Sequence, residues 1–574
     1  MKKVSKRTIR LFVAGAFFLL TFFPFVSGGF AGEEKVVYGA SYSPAVLRAG
    51  GEQLEEAEVV VELEEKFHQS QTYREIVQER AELIAENPDD LAEQLDALLT
   101  EQRAACQDFY AQQKAEFYQE TGLDTSYFED AIYSGFLVVN PERFVEQARP
   151  DLFVDRLAQS DSVYKVSVEA PATITYDGWF GSWEGETLPT VNGIGWDYYA
   201  GTGIKVGIID EGRLDESFFE SHYPDLQLIN QNDTRPISDH STRVGAIIAA
   251  LAPKCTIYAT VNSIGYNPEN PNFFIDHSLN WLNDQNVQIV NCSFALEHKN
   301  AGSGYCRFES YYDNYAADNE MTLVFGSGND GTTVNCPKEG RNIITVGATD
   351  NNGSTKAHYS NYGSQEGYVK PLLMANGAPH VPYQVDPFHL SFQYGTSFSA
   401  PMVTGALVKA AQKDYFIQYP VYAIPVLTST ATHENLSGGT FESNGIVNNY
   451  FGYGMLNIQN LMLNTATVMN PNTNNVHRED ADSFDTETEQ ISTRILGAGT
   501  KIRASLFWMY GANLDLYVYG PNGNLITSST STTRRPEVVE FTAPTYGEYT
   551  LKMVREGSPV TSSSEVILFY AYLL

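Results

Sequence analysis

Apolar and polar positions change their spacing along the chain, and each spacing predicts a different kind of element. Between residues 32 and 180, short apolar runs flank a long stretch in which Leu91, Leu95 and Leu98 follow helical spacing. This pattern predicts an α+β region with a helical insertion from Glu65 to Asp130. The predicted elements are strands 58–63, 133–139 and 164–168 and helices 65–121 and 141–148.

The middle of the chain has a different texture from Leu188 to Leu463. Short apolar strands alternate there with helical runs and with Gly- and Asn-rich loops, which is typical of a parallel α/β sheet flanked by helices. The strand candidates are 204–209, 255–261, 288–291, 323–325 and 343–346.

The last part of the chain alternates in the manner of half-buried strands. Leu514, Leu516 and Val518 alternate with polar or aromatic positions, and the turn sequence Gly520-Pro521-Asn522-Gly523 follows. Residues 493–574 are therefore predicted to form an all-β sandwich. The preceding residues 466–492 are Asn/Thr-rich and then acidic, which predicts a linker.

The N-terminus resembles a targeting segment. Five basic residues precede an uncharged apolar run from Leu11 to Val26, and small residues follow from Ser27 to Gly32. This is the pattern of a secretory signal peptide, assigned to residues 1–31. A retained single-span anchor is the alternative, although the run is short for a membrane span. After removal of the signal we expect no transmembrane segment and a secreted, extracellular or cell-surface protein.

Composition narrows the function further. The chain has 574 residues, a hydrophobic fraction of 43% and a net charge of −33, so it has several domains with sizeable cores and is a poor candidate for binding nucleic acid. Residues 33–180 hold 31 acidic and 11 basic side chains, a net charge of −20. More than half of the net negative charge therefore lies in the N-terminal region.

The five cysteines fit an exported protein without requiring a disulfide scaffold. Cys255 lies in a strand-like run and is predicted to be a core residue. Cys306 and Cys336 are the pair that we would test first for a disulfide, and no CxxC pair suggests a zinc site.

Four short segments carry residues suited to covalent catalysis. Asp210 ends an apolar strand, His240 opens a helix, Asn329 lies in a glycine loop after a strand, and Ser397 begins a helix. A serine hydroxyl needs a base such as histidine, a carboxylate orients that histidine, and an amide and backbone N–H groups stabilise an oxyanion. Each residue alone is more often structural, but their order and spacing make the set coherent.

At this point the sequence resembles the subtilases, the subtilisin-like serine proteases. The order Asp…His…Asn…Ser and the segment Gly-Thr-Ser-Phe-Ser-Ala-Pro at 395–401 carry the resemblance, which spans residues 189–463. It implies that Asp210 orients His240, that His240 is the general base and acid, that Ser397 is the nucleophile and that Asn329 donates to the oxyanion. The product would form by hydrolysis of an acyl-enzyme on Ser397.

The resemblance also assigns residues to substrate binding. The strand containing Ser293, Phe294 and Ala295 would pair with an extended polypeptide, and Gly326, Ser327 and Gly328 would line the first specificity pocket. Asp330 lies beside that pocket by analogy, so we expect some tolerance for basic side chains. No catalytic metal or cofactor is implied; a structural calcium ion is compatible with the family, and the sequence locates no ligands for it.

The resemblance extends to the flanking regions. Residues 32–180 resemble the inhibitory propeptide of subtilases, with the helical insertion as an addition and with maturation between about Ala170 and Leu188. A solvated acidic spacer without a chaperone role is the alternative. The catalytic domain is assigned to residues 181–465. The C-terminal sandwich resembles an accessory domain. Its exposed tyrosines would bind substrate or a cell-wall polymer or, in the simpler interpretation, form an ordinary sheet surface.

Two functions follow from these observations. The first is a secreted endopeptidase made as a zymogen, with a polypeptide as substrate and its own propeptide as intramolecular inhibitor. The second is a catalytically inert binding protein on a subtilase scaffold. Glu211, where the family usually has serine or threonine, and Ser241, where it usually has glycine, motivate this alternative. We expect Glu211 to point to solvent; turned inward, it would raise the pKa of the histidine.

Overall fold

The structure of the chain is a computed structural model. It describes residues 35–38, 41–49, 57–86, 91–169, 173–175, 179–181, 199–231, 234–261, 277–297, 306–350, 353–378, 392–433, 436–442, 445–465, 478–480, 489–509, 513–532, 535–556 and 566–573. The predicted signal peptide lies outside these residues, as does most of the predicted maturation region. Within the described residues, no helix combines the length and the apolar character that a membrane span requires.

An α+β domain forms the N-terminal part of the described chain. Its five-stranded sheet has the order β1-β5-β2-β4-β3, and its core gathers apolar side chains such as Val61, Leu137 and Val166. Its elements are β1 (Val36–Tyr38), α1 (Pro44–Ala49), β2 (Glu58–Leu63), α2 (Gln71–Glu86), α3 (Leu91–Thr121), β3 (Phe128–Asp130), β4 (Phe136–Val139), α4 (Pro141–Val145), α5 (Pro150–Ala158) and β5 (Val163–Glu169).

The helical insertion consists mainly of α2 and α3. The predicted single helix 65–121 begins instead with a short 3₁₀ turn at Phe67–Gln69, and its two α-helices are separated by residues 87–90, which lie outside the described part. Leu95 and Leu98 are buried, as their helical spacing predicts.

A seven-stranded parallel sheet forms the centre of the molecule, with the order β15-β14-β13-β11-β8-β10-β9. The predicted parallel α/β architecture is therefore confirmed. The elements of this region are β6 (Thr173–Thr175), β7 (Trp179–Gly181), β8 (Lys205–Asp210), α6 (Glu216–His222), β9 (Gln227–Asn230), α7 (Asp239–Leu251), β10 (Thr256–Val261), α8 (His277–Asp284), β11 (Ile289–Cys292), β12 (Ala295–Glu297), α9 (Arg307–Asp318), β13 (Thr322–Gly326), β14 (Ile344–Thr349), β15 (Leu373–Asn376), β16 (Phe392–Tyr394), α10 (Thr396–Lys413), α11 (Pro420–Thr430) and α12 (Ile458–Asn464).

Helix α10 is the central helix of this region. Its apolar face packs against the sheet and against α7, where Gly405 leaves room for Leu251: a Cβ on Gly405 would lie 2.8 Å from Cδ1 of Leu251. Because parallel strands place their carboxyl ends at one edge, β8 and β13 bring Asp210 and Gly326 to the same edge of the sheet as the start of α10.

The C-terminal region forms two antiparallel four-stranded sheets, with the orders β17-β24-β19-β22 and β18-β23-β20-β21. The strands are β17 (Arg478–Asp480), β18 (Glu489–Leu496), β19 (Lys501–Trp508), β20 (Asn513–Tyr519), β21 (Leu525–Ser529), β22 (Glu537–Thr542), β23 (Gly547–Glu556) and β24 (Val566–Tyr572). The predicted linker 466–492 thus contains β17 and the first part of β18, because Arg478–Asp480 pairs with β24 and Glu489–Leu496 pairs with β23.

The sandwich shares its packing with the central region. Phe507, Val538 and Phe569 belong to the same buried cluster as residues of α11. Tyr453 donates a hydrogen bond from its hydroxyl to the carbonyl of Pro536 at 2.7 Å. The predicted accessory domain is therefore packed directly against the α/β core.

Candidate active site

Asp210 and His240 face each other at the carboxyl edge of the sheet. Asp210 is the last residue of β8, and His240 is the second residue of α7, which Ser238 caps by accepting a hydrogen bond from the N–H of Ser241. The Nδ1 atom of His240 lies 2.7 Å from Oδ1 of Asp210, and both side chains are buried. A carboxylate in this place fixes the ring orientation and leaves Nε2 for proton transfer.

The same carboxylate has two further donors. Ser241 donates to Oδ1 of Asp210 from its hydroxyl at 2.9 Å, and the N–H of Glu211 donates to it at 2.8 Å. The Ser241 oxygen in turn accepts a hydrogen bond from the N–H of Gly212 at 3.1 Å. Ser241 is therefore part of the network around Asp210 and not merely a larger substitute for glycine.

Glu211 does not point freely into solvent, so that expectation is wrong. Its carboxylate accepts a hydrogen bond from the hydroxyl of Ser238 at 2.5 Å, which holds it at the start of α7, and the residue is half-buried. Ser238 lies in the turn that caps the histidine helix, 27 residues further along the chain. This partner explains why the side chain folds toward the site.

The pKa of His240 reflects these neighbours. Burial by itself lowers it, but the charge of Asp210, the hydrogen bond to Asp210 and the charge of Glu211 together raise the pKa above its ordinary value. Arg243 acts in the opposite sense. The site therefore favours the imidazolium form that a general base must pass through.

Ser397 lies at the start of α10, with its neighbour packed against the histidine. The ring of Phe398 lies 5.4 Å from the ring of His240, and Ser397 itself is half-buried. The hydroxyl of Ser293 donates to the carbonyl of Ser397 at 2.9 Å and is itself bonded to Asn291 at 2.8 Å. The helix start is thus tied to the strand that leads into Ser293.

Asn329 is oriented by the residue before the serine. Its Oδ1 atom accepts hydrogen bonds from the N–H of Thr396 at 2.9 Å and from the hydroxyl of Thr396 at 3.1 Å. Because both Thr396 groups act as donors toward Asn329, the facing atom is the oxygen, and the amide nitrogen points the other way. The Thr396 hydroxyl also accepts from the N–H of Gly328 at 3.1 Å.

The loop from Gly326 to Gly328 passes close to the start of α10. A Cβ on Gly326 would lie 2.8 Å from the backbone of Thr396, so glycine is needed for this approach. Ser327 is fully buried, and its hydroxyl donates to the carbonyl of Asn361 at 3.0 Å. The side chain of Ser327 is therefore not available to a ligand.

Sequence reasoning missed two residues that organise this loop. Thr396 connects Gly328 with Asn329, and Asn361 accepts hydrogen bonds at Oδ1 from the N–H groups of Asp330 at 2.9 Å and Thr332 at 3.2 Å. Asn361 lies in the polar run Ser360-Asn361-Tyr362-Gly363, which by itself indicates only a turn. Its role depends on contacts with residues about 30 positions away.

The chain's own residues flank Ser397 on two sides. Strand β6 pairs antiparallel with β12, with Thr175 opposite Ala295, and β7 pairs antiparallel with β16, with Trp179 opposite Tyr394. Strand β12 begins two residues after Ser293, and β16 ends three residues before Ser397. A segment that follows the N-terminal domain is therefore paired with the strands on both sides of the candidate nucleophile.

The charges beside the glycine loop differ from those expected. Asp330 is exposed, whereas Lys338 is only 3% exposed. The Nζ atom of Lys338 lies 3.3 Å from the position that a Cβ on Gly328 would take. A buried lysine ammonium therefore lies close to Gly328.

A disulfide bond joins Cys306 and Cys336. Together with Glu309 these residues are the one group in the described part of the chain with metal-ligand spacing. The sulfur atoms of the two cysteines are bonded to each other and are therefore not free thiolates. Burial raises the pKa of Glu309 to about 8, which disfavours the carboxylate form that would bind a metal ion. This group is therefore unsuited to hold a metal ion.

A family model for the subtilase family matches residues 201–499, more than half of the chain. The chain belongs to the subtilase family. Thermitase from Thermoactinomyces vulgaris is 26% identical over 276 residues, covering 44% of this chain and 90% of thermitase. The protein is a subtilisin-like serine peptidase, as its sequence predicted.

Solved structures of proteases resemble the chain at low identity. The self-cleaved protease domain of PatA is 20% identical with a TM-score of 0.35, covering 45% of this chain and 95% of that domain. The serine protease of Aeromonas sobria is 12% identical with a TM-score of 0.35, covering 65% of this chain and 89% of the other.

Proposed function

We propose that the protein is a secreted serine endopeptidase, made as a zymogen, that hydrolyses polypeptides through an acyl-enzyme on Ser397. The main support is the buried Asp210–His240 pair at 2.7 Å, with the His240 ring against Phe398 at the start of α10. These contacts support a Ser-His-Asp triad, whose members follow in the order that the family resemblance implies.

The residues act in two half-reactions. In the first, Nε2 of His240 takes the proton of the Ser397 hydroxyl while Oγ forms a bond to the scissile carbonyl carbon. His240 then gives this proton to the leaving amine as the C–N bond breaks. In the second, water loses a proton to His240 and attacks the ester carbon, and Ser397 regains its proton as the acid product leaves.

Asn329 and the helix start stabilise the oxyanion in both half-reactions. Thr396 holds Oδ1 of Asn329, so that Nδ2 acts as the donor, and the N–H of Ser397 at the start of an 18-residue helix supplies the second donor. Loss of one such donor costs about 3–4 kcal/mol of transition-state stabilisation.

The zymogen state is supported by the pairing of β6 and β7. The covalent connection between these strands is Tyr176-Asp177-Gly178, which lies outside the described residues, while the described strands end on either side of Ser397. We infer that the bond cut during maturation lies within this connection. The N-terminal domain, which precedes it, is then the intramolecular inhibitor.

The charge at the glycine loop suggests a substrate class. If Gly326, Ser327 and Gly328 form one wall of the first pocket through their backbone, the ammonium of Lys338 lies behind that wall. We infer a preference for an acidic side chain before the cut, rather than the tolerance for basic side chains expected from Asp330. Asp177, the middle residue of the connection, is itself acidic.

Export is supported by the N-terminal sequence and by the disulfide. Residues 1–31 have the order of a signal peptide, and a Cys306–Cys336 disulfide persists in oxidising compartments. Residues 1–31 lie outside the described residues, so the signal peptide is proposed from the sequence alone.

The test compares the wild type with Ser397→Ala by intact mass after expression of the full chain. We expect the wild type to yield a mature fragment that begins within residues 177–179, and Ser397→Ala to keep its N-terminal domain covalently attached. A fluorophosphonate probe should label the wild type but not Ser397→Ala. It should also label the control variant Ser217→Ala, which loses an exposed hydroxyl instead of the one proposed as the nucleophile. Absence of labelling after removal of the N-terminal domain would reject the proposal.

A further inference from the structure

The Cys306–Cys336 disulfide encloses the part of the chain that forms the glycine loop. Cys306 is the residue before α9, and Cys336 follows the loop that contains Gly328 and Asn329. The two cysteines are 30 positions apart, so α9, β13 and the loop all lie within the ring of chain that the bond closes. The bond thus fixes the chain just beyond the loop to the start of α9.

The segment that begins at the disulfide, residues 336–342, is attached to α9 at both ends. The disulfide holds its first residue. At its other end, Asp313 of α9 accepts hydrogen bonds from the N–H groups of Arg341 at 2.7 Å and Asn342 at 2.8 Å. Loss of the disulfide would therefore remove the attachment at the end nearer to the glycine loop.

This segment lies directly behind the wall proposed for the first specificity pocket. The Nζ atom of Lys338 is 3.3 Å from the position that a Cβ on Gly328 would take, and Lys338 is buried. The carbonyl of Lys338 accepts a hydrogen bond from the hydroxyl of Thr345 at 2.5 Å. Thr345 lies beyond the segment, in β14, so it does not replace the attachment at Cys336. A shift of the segment would move the side chain that lies against the wall.

Other residues hold the oxyanion part of the loop. Thr396 donates to Asn329 from its N–H at 2.9 Å and from its hydroxyl at 3.1 Å. Asn361 accepts from the N–H groups of Asp330 at 2.9 Å and Thr332 at 3.2 Å. These contacts involve neither cysteine, and the proposed triad lies outside the closed ring. We therefore expect loss of the disulfide to change the pocket and to spare the triad and Asn329.

The disulfide is more accessible to a reductant than the other cysteines are. Cys306 is half-buried, and Cys336 is 5% exposed. The three free cysteines are 0% exposed: Cys106, Cys255 and Cys292. A small thiol reductant should therefore act on this bond, while thiol reagents do not reach the remaining cysteines in the native fold.

We propose that Cys306 and Cys336 are positioning residues for the first specificity pocket, and that their disulfide gives the enzyme its full selectivity for the residue before the cut. The cysteines act through residues 336–338 on the wall at Gly328. The proposal rests on the proposed function, because it concerns the substrate pocket of that peptidase.

The state of this bond depends on the compartment. A dithiol reductant breaks the bond between the sulfur atoms of Cys306 and Cys336. The two sulfur atoms together take up two electrons and two protons, which the reductant's thiols lose as they form a disulfide of their own. The cytosol keeps thiols reduced, whereas exported proteins meet oxidising surroundings. The chain would therefore reach full selectivity only after the export that is proposed for it.

The test uses the mature wild-type enzyme with and without excess dithiothreitol. A peptide library first identifies the preferred residue before the cut, and kcat and KM are then measured for a peptide with that residue and for its alanine counterpart. We expect reduction to lower the ratio of the two kcat/KM values about tenfold, mainly through a higher KM for the preferred peptide. Labelling of Ser397 by the fluorophosphonate probe should continue at the oxidised rate, and reoxidation should restore the ratio.

Alkylation and two variants identify the responsible bond. Iodoacetamide applied under native conditions should modify Cys306 and Cys336 in the reduced enzyme and no cysteine in the oxidised one. The double variant Cys306→Ser/Cys336→Ser should show the lowered ratio with or without dithiothreitol. The matched control Cys255→Ala changes a buried cysteine outside this bond and should respond to dithiothreitol as the wild type does.

The outcomes separate this proposal from the proposed function. An oxidised enzyme that neither reacts with the probe nor cleaves peptides refutes the proposed function, and this proposal with it. An enzyme that is labelled and cleaves with the same ratio in both redox states refutes this proposal alone. Loss of labelling together with selectivity would show that the bond maintains the fold as a whole, and this result also overturns the proposal. If the double variant does not fold, the reversible change in the wild type decides.

Discussion

Ser241 donates a hydrogen bond from Oγ to Oδ1 of Asp210 at 2.9 Å, one position after the histidine that the same carboxylate orients. The Ser241 oxygen accepts from Gly212 N–H in return. A buried hydroxyl thus bridges the strand that carries Asp210 and the helix that carries His240. Ser241 motivated the hypothesis of an inert scaffold, but its contacts support the catalytic arrangement.

Replacing Ser241 by alanine should weaken catalysis without dismantling the site. The change removes one of three donors to Asp210 and leaves the N–H of Gly212 unpaired. A hydrogen bond to a charged group contributes about 1.5–3 kcal/mol, so we expect kcat/KM on a peptide to fall at least tenfold. Ser217→Ala, which removes a hydroxyl near the surface, should leave kcat/KM unchanged. An unaltered Ser241→Ala enzyme would show that this bond is catalytically irrelevant.

Glu211→Gln should shift the acid limb of the pH profile. The charge of Glu211 helps to raise the pKa of His240, so its removal lowers that pKa. Catalysis needs neutral His240, and the acid limb of kcat/KM should therefore move to lower pH, with more activity in mild acid than the wild type has. Glu216→Gln, on the exposed start of α6, is the control. An acid limb that stays in place or moves upward contradicts the assignment.

The raised pKa of His240 also makes the free energy of unfolding depend on pH. A folded-state pKa above the unfolded value means that His240 contributes stability below the unfolded pKa and loses it as pH rises through the folded pKa. Removing the Glu211 charge should reduce this contribution.

Local patterns in the sequence were sufficient for much of the fold. The strand predicted at Glu58–Leu63 has those bounds, and the strand predicted at 204–209 is observed at Lys205–Asp210. An uninterrupted apolar run of strand length predicts a buried strand, and both of these strands are buried. The four residues proposed for catalysis could be selected from the sequence because each lies within a short motif that resembles one of the family's.

Contacts between distant residues were not predictable in this way. Glu211 turns toward Ser238, and Arg80 meets Glu320 across 240 residues. Periodicity indicates which face of an element is buried, not what covers it. For the same reason the sequence predicted a linker where β17 and part of β18 complete the sandwich.

Lys338→Met should change the preference for the residue before the cut. Removing the ammonium behind the pocket wall takes away the attraction for a carboxylate, so we expect kcat/KM for Asp or Glu at that position to fall at least tenfold relative to Leu. Cleavage of a peptide library by wild type and variant measures the ratio. Lys254→Met, an exposed lysine elsewhere on the domain, serves as control. A wild type that prefers Lys or Arg would refute the inference.

Asn329→Ala should lower kcat far more than it changes KM. The amide is proposed to bind the oxyanion only as it forms, so its loss should reduce kcat about 10²–10³-fold. Thr396→Val keeps Asn329 but removes the hydroxyl that joins it to Gly328, and a smaller loss in kcat is expected. Equal losses in the two variants would mean that orientation and donation cannot be separated here. A purely KM effect for Asn329→Ala would contradict the oxyanion role.

Arg503→Met should destabilise the whole α/β core and not only the sandwich. Arg503 is 2% exposed, and its guanidinium bonds to Glu540 at 2.6 Å while it donates to the carbonyls of Ala431 at 2.5 Å and Tyr453 at 3.1 Å. Breaking a buried pair leaves an uncompensated charge and costs about 3–5 kcal/mol. Urea unfolding in a Ser397→Ala background, which prevents self-digestion, gives the free energy.

Lys501→Met provides the matched control for this prediction. Lys501 pairs with the same Glu540 at 2.9 Å, but its side chain is 47% exposed, so its loss should cost less than about 1 kcal/mol. Because the sandwich and α11 share a buried cluster, Arg503→Met should lower the midpoint of one common transition. Two separate transitions, with the α/β core unaffected, would show that the sandwich is an independent accessory domain after all.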